Sequence, residues 1–282
     1  MRTIINKEKN YSAEIFESVA EFQRTLKTAK VNESWRHREC QSLETGFSAE
    51  NFTGTKNFEI AQNYLQKGYK KGMRQLESAK GAIKVSTVVE KNKVKLNVAG
   101  FAPCVPAAIQ GKPKTMYYTK KLKRAAPVVR LFYQRAARCS VPNETIARAG
   151  ANVLSLVQYL EKHGIKVELF ICAVSKKQCH TRDNSVCACI IRVKSAAAAL
   201  NMQLISYPMI HPSFFRRHVF RWRETSKISV GTDRYYGSTV SNAMNFLQAL
   251  GILDGDSYYI DIDMAERARS IEDLLLRVGL KL

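Results

Sequence analysis

The densest run of side chains able to do chemistry lies mid-chain: Lys112, Lys114, Lys120, Lys121, Lys123, Arg124, Arg130, Arg135 and Arg138, with Tyr117, Tyr118, Phe132 and Tyr133 between them. Ammonium and guanidinium groups at this density displace counterions condensed on a phosphate backbone, and rings among them offer faces for unpaired bases to stack on. The chemistry this suits is non-specific nucleic-acid binding through phosphates. Lys112, Lys114, Lys120, Lys121, Lys123, Arg124, Arg135 and Arg138 are its leading contributors. A solvated face that aids solubility would show the same residues, so the balance of the whole chain matters. It has 45 Lys and Arg against 24 Asp and Glu, a net charge of +21. The net charge is zero over residues 1–50, +16 over 51–150, +8 over 151–250 and −3 over 251–282. An excess this concentrated, at a pI near 9.8, is the electrostatic footprint of a polyanion binder.

Other constellations carry less. Cys172, Cys179, His180, Cys187 and Cys189 fall close together, which suggests zinc, but structural zinc sites use cysteines two to four residues apart in knuckles. Cys187 and Cys189 instead stand at strand spacing on one face, where free thiols pack as small hydrophobes. Asp254-Gly255-Asp256-Ser257 is a turn sequence, and Asp261 and Asp263 alternate with Ile260 and Ile262 as a half-exposed strand end does. His211 and His218 are candidate acid or base groups without a carboxylate spaced to orient them. No phosphate-loop, dinucleotide, nucleophile-elbow or zincin motif occurs. An enzyme is the least supported class, needing Asp233, Asp261 and a histidine around one pocket, and no cofactor or metal is expected.

Positioning those residues requires a core, and 282 residues with 45 % apolar composition supply one. Ser12, Ile15, Phe16, Val19, Phe22 and Leu26 predict an amphipathic helix over 12–29, and Phe58, Ala61, Tyr64 and Leu65 a second one ending at Gly68. Trp35 reads as a packing anchor. Period-two patterning predicts a hairpin over 82–98, followed by a stiff Pro/Gly connector over 99–126. From 127 onward, strands at 128–133, 165–174, 186–193 and 257–262 alternate with helices capped near Asn143, Ser195, Pro212 and Thr239. That order predicts an α/β domain over 127–282, with a mixed, mostly parallel sheet covered on both faces by helices. The expected division is a helical N-terminal region with hairpin over 1–98, the connector, and the α/β domain.

The first residues lack the apolar core of a secretory signal. The uncharged stretch Ser195–Phe215 contains Asn201, Gln203, Pro208, His211 and Pro212, which would strand polar groups in lipid. Seven cysteines suit a reducing compartment. A soluble, cytoplasmic protein without a membrane partner is expected.

Three stretches resemble a family of uncharacterised proteins encoded mainly by tailed bacteriophages. They are Phe52-Thr53-Gly54-Thr55 with Ala61 and Gly68; Ala99-Gly100 through Pro103, Val105-Pro106, Gly111, Pro113 and Met116; and Ala149-Gly150-Ala151-Asn152 with Leu160-Glu161 and Gly164. The resemblance implies a degenerate von Willebrand factor A-like (Rossmann-like) C-terminal domain and a bacterial-host or virion context. The loop matching that fold's magnesium site reads Gln134-Arg135-Ala136-Ala137-Arg138-Cys139-Ser140. It lacks a carboxylate, and its arginines would repel a divalent cation and suit an anion. The leading expectation is a non-enzymatic nucleic-acid binder. The alternative is a metal-free von Willebrand A-like scaffold that binds a protein partner.

Overall fold

The computed structural model describes residues 1–72, 76, 95–118, 127–177, 185–231 and 236–280. They divide into two compact units, Met1–Lys84 with Pro127–Leu282, and Val85–Ala126. The chain begins with strands β1 (Arg2–Asn6) and β2 (Tyr11–Phe16), then helices α1 (Val19–Thr28), α2 (Phe47–Thr53) and α3 (Phe58–Lys67). The small unit holds β3 (Lys95–Asn97), β4 (Ala102–Pro103), α4 (Val105–Ile109) and β5 (Met116–Tyr118). The large unit resumes with β6 (Val128–Gln134), α5 (Asn143–Lys162), β7 (Lys166–Lys176), β8 (Val186–Lys194) and α6 (Met202–Ile210). A π-helical stretch, Phe214–Val219, runs into α7 (Phe220–Thr225). The chain then forms β9 (Ser238–Thr239), α8 (Ala243–Ala249), β10 (Ser257–Ile260), α9 (Ile262–Glu266) and α10 (Ile271–Val278).

One mixed sheet, parallel through β10-β6-β7, organises the large unit, in the order β1-β2-β8-β7-β6-β10, with β9 added beside β7. The ladders β10–β6, β6–β7 and β2–β8 are parallel; β7–β8, β1–β2 and β7–β9 are antiparallel. The pleat separates two cores. Leu131, Tyr133, Leu169, Ile171, Cys187 and Cys189 pack under α1, α5, α6, α7 and α10 on one face. Their alternate neighbours Phe132, Phe170, Cys172, Val174, Ala188 and Ile190 pack under α8 on the other. Cys172 packs on one face and Cys187 and Cys189 on the other, burial pushes the Cys172 and Cys189 thiols up, and Cys179 and His180 lie outside the described residues.

The N-terminal expectation needs correcting. Residues 11–16 are strand rather than the start of a helix, because Tyr11–Phe16 pairs with Val186–Ile191 in the main sheet. The helix begins at Val19, capped by the Ser18 side chain, which accepts from the Glu21 amide. Asp261 is not a strand end either: it caps α9, its carboxylate accepting from the Met264 amide at 2.7 Å. Helix α5 is placed by two close approaches. A Cβ on Gly150 would stand 2.1 Å from the Met209 carbonyl oxygen of α6, and the Asn152 amide donates to the Ala265 carbonyl at 2.8 Å.

In the small unit the order is β3-β5-β4, antiparallel throughout. The stretch expected to be only a stiff connector thus contains a central strand and a helix. Pro106 is tolerated because it sits at the amino end of α4, where its missing N–H costs nothing. Gly100 lets β5 come close, since a Cβ there would meet the Tyr117 carbonyl at 2.1 Å. Of the expected hairpin, residues 82–94 lie outside the described residues.

Candidate functional site

Past the carboxyl ends of β6 and β7 lies a crevice of about 910 Å³. Gln134 ends β6 by bridging sideways: its Nε2 donates to the Val174 carbonyl at 2.9 Å, and the Val174 amide donates to its Oε1 at 3.1 Å. The loop 136–140 then forms one wall, and α2, the π-helical stretch and β9 form the others. The rings of Phe52, Phe215, Phe220 and Tyr236 line it, with Arg138 and Arg216 as its cations. Outside the carboxyl ends of strands is where open α/β sheets hold ligands.

The cations here divide sharply. Arg138 is exposed. Arg135, expected on the surface, is 1 % exposed. Its amide donates to the Cys172 carbonyl at 2.8 Å, so the β6 ladder continues one residue further and the pleat turns the side chain inward beside Tyr133. Its Nη2 donates to the His211 carbonyl at 2.7 Å, and burial lowers its pKa to about 10. Arg135 therefore cannot touch a nucleic-acid backbone in this fold. Arg130 is neutralised by Asp254 at 2.6 Å.

Phe52-Thr53-Gly54-Thr55 accepts two neighbouring arginines. Arg216 Nη1 donates to the Phe52 carbonyl at 2.5 Å and to Asn143 Oδ1 at 3.1 Å, its guanidinium 4.4 Å above the Phe52 ring. Arg217 donates to the Thr55 carbonyl at 2.8 Å and to the Ser42 and Glu44 carbonyls. Asn143, expected as the helix cap, is instead the first residue of α5 and serves Arg216. Behind the crevice, Glu224 is fully buried and accepts from the Ser42 amide and hydroxyl, the Tyr236 hydroxyl and Arg221. Tyr236 stacks on Phe220 at 4.0 Å and lies 4.4 Å from Trp35, the expected anchor, which is 1 % exposed.

His211 and His218 are not poised for proton transfer at neutral pH. Burial lowers the first to about 3 and the second to about 4, and nearby arginines add to the effect. Among the described residues no three or more His, Cys, Asp or Glu side chains are grouped so as to hold a metal. Asp233, one of the residues an enzyme would need, lies outside the described residues.

Of the remaining expected phosphate contacts, Lys112 and Lys114 belong to the small unit and are exposed; Lys120, Lys121, Lys123 and Arg124 lie outside the described residues. The small unit spans Val85–Ala126 and holds nine Lys or Arg and one acidic residue, Glu90. Tyr118 stands opposite Lys95 on one face of its sheet, and Tyr117 stands between Leu96 and Ala102 on the other; both tyrosines are 37 % exposed. Tyr117 is hydrogen-bonded to Cys104, which holds that thiol below its ordinary range.

A family profile described as a domain of unknown function, DUF7192, matches residues 3–280. The chain belongs to the DUF7192 family. No curated protein and no solved structure matches it. In this DUF7192 chain the glycines of two resembling stretches serve packing: Gly100 and Gly150 each stand where a carbonyl leaves no room for a Cβ. Among the described residues no helix is long and apolar enough to cross a membrane.

Proposed function

We propose that the protein binds nucleic acid non-specifically, without catalysis, and that the small unit makes the phosphate contacts. The observation that carries this reading is the charge of Val85–Ala126: +8 within 42 residues. Among the described residues Lys95, Lys112 and Lys114 have no ion-pair partner, and tyrosine faces lie open beside them. Cations on a short sheet with exposed rings grip a strand by counterion release and stacking, indifferent to base identity. Arg138 is a separate, exposed cation on the large unit. The test is fluorescence anisotropy of a labelled single-stranded oligonucleotide over a salt series. Neutralising ~6 phosphates of a single strand makes affinity fall roughly three-hundredfold between 50 and 200 mM salt. Lys112→Ala and Lys114→Ala each flatten the salt slope by about 0.7 to 0.9, whereas Arg135→Lys leaves it unchanged. Affinity that stays level across the series overturns the proposal.

A metal-free von Willebrand A-like scaffold for a protein partner is the second reading. What supports it is the strand order β8-β7-β6-β10, which counted from β6 is 3-2-1-4, with β8 antiparallel to β7, and the exposed Phe101, Val105 and Ile109 of the small unit, apolar surface suited to a partner. A bacteriophage setting, in the host cytoplasm or a virion, belongs to the same proposal. A protein partner that copurifies after nuclease treatment would favour the scaffold over the nucleic-acid reading.

A further inference from the structure

The crevice of the large unit is lined by Arg138, Arg216 and one carboxylate, Glu44, and the buried layers behind it carry more positive than negative charge. In the layers packed about it, Arg135, Arg216, Arg217 and Arg223 are each more than nine-tenths buried, against two carboxylates buried to that degree, Glu14 and Glu224. Glu14 is engaged by the Trp222 indole N–H at 2.6 Å and the Ser226 hydroxyl at 2.8 Å, and Glu224 by the donors already described. Arg216 and Arg217 are held by backbone carbonyls, but among the described residues Arg223 has no hydrogen-bond partner for any of its three nitrogens, and Arg135 has none for two. A buried guanidinium left like this is costly, and an anion within reach relieves the cost. Arg223 lies immediately behind the crevice wall: a Cβ on Gly237, which lines the crevice, would be 3.2 Å from its Nη1.

A second observation lies in the crevice itself. Ser175, near the end of β7, lines the crevice, is 4 % exposed, and its hydroxyl has no partner among the described residues. Buried hydroxyls are nearly always satisfied, and this one offers the crevice a donor and an acceptor. The remaining wall is aromatic, and the volume is that of a pocket for a small organic molecule.

We propose that the crevice binds a small organic phosphate. Its ring-bearing part lies against Phe52, Phe215, Phe220 and Tyr236, and its dianionic head sits by Arg138 and the Ser175 hydroxyl, over the field of Arg223. This site is independent of the small unit and of its proposed role. The chemistry is shared by free nucleotides and other aryl phosphates, and the probes distinguish them.

The experiment is calorimetric titration of the full chain with AMP, phenyl phosphate, adenosine and inorganic phosphate. One-to-one binding of AMP or phenyl phosphate, with adenosine and inorganic phosphate at least tenfold weaker, is the expected result. AMP tighter than phenyl phosphate identifies a nucleotide site, and equal affinities a general aryl phosphate site. Arg138→Ala weakens binding about tenfold, the value of one charge-assisted contact. Ser175→Ala weakens it several-fold while leaving the melting temperature and oligonucleotide affinity unchanged, since the hydroxyl has no partner to lose. Absence of binding by both ring phosphates at millimolar concentration overturns the proposal. So does adenosine or inorganic phosphate binding as tightly as they do, or wild-type affinity in both variants.

Discussion

Replacing Gly150 by alanine sets two physical effects against each other at one atom. Gly150 lies inside α5, a helix of 20 residues, where propensity alone makes alanine better by about 1 kcal/mol. The structure reverses that sign. The added Cβ would stand 2.1 Å from the Met209 carbonyl oxygen and 3.2 Å from the Ile210 side chain, so the backbones of α5 and α6 must separate by roughly 1 Å to restore ordinary contact. Both helices pack on the core that includes Leu154, Tyr207 and Met209, all 1 % exposed or less. Strain of this kind costs about 1–3 kcal/mol or more, and opening a close-packed interface also forfeits dispersion. A net loss of about 2 kcal/mol lowers the melting temperature by roughly 4–8 °C in a unit of this size. Thermal unfolding followed by far-UV circular dichroism measures it, with Gly150→Ser expected to lose more. A Gly150→Ala protein that melts at or above the wild-type temperature would show that the α5–α6 approach is not a tight contact.

Other outcomes test the buried polar layer. Glu224→Ala leaves the Ser42 and Tyr236 hydroxyls and Arg221 without their acceptor, and should cost about 3–5 kcal/mol; Glu224→Gln should lose less, and chemical denaturation distinguishes the two. Stability should fall as the pH is lowered from 7 to 5. His211 and His218 have folded pKa values of about 3 and about 4, below the ordinary 6.5, so the unfolded chain binds protons first and each histidine withdraws roughly 2 kcal/mol by pH 5. Their contribution is complete above pH 6.5 and disappears as the pH falls through the folded values; a melting temperature constant from pH 7 to 5 would contradict it. Trp222→Phe removes the indole donor to Glu14 and should lower stability by about 2 kcal/mol, visible as a shifted urea midpoint without a change in slope.

Where the sequence was readable, one periodicity had one physical cause. Leu131–Tyr133, Ile171–Val174 and Cys187–Ile190 alternate because both faces of a pleated sheet are covered, and α5 shows a long run of helical spacing. The N-terminus misleads because Ile15, Val19, Phe22 and Leu26 keep helical phase across the end of β2 and the start of α1, so strand and helix share one apolar stripe. What identifies the strand is its pairing with β8, which no local pattern encodes. Arg135 misleads for a related reason: its residue type argues for solvent, and only the extra ladder bond to Cys172 turns it inward. The crevice was visible as an arginine-bearing loop, but its other walls come from residues 41–53, 215–220 and 236–239, and Ser175 carries no signal until its missing partner is seen.

The pairing of β2 with β8 also bears on how the molecule is made. Tyr11 meets Val186, so the opening hairpin leaves the ribosome 175 residues before the strand that completes it. At ~5–20 residues per second that is about 10–35 s during which that edge of β2, with Ala13, Ile15 and Phe16 among its residues, has no mate. Chaperone dependence during translation, and slow closure of the sheet between its two halves on refolding, follow from that delay.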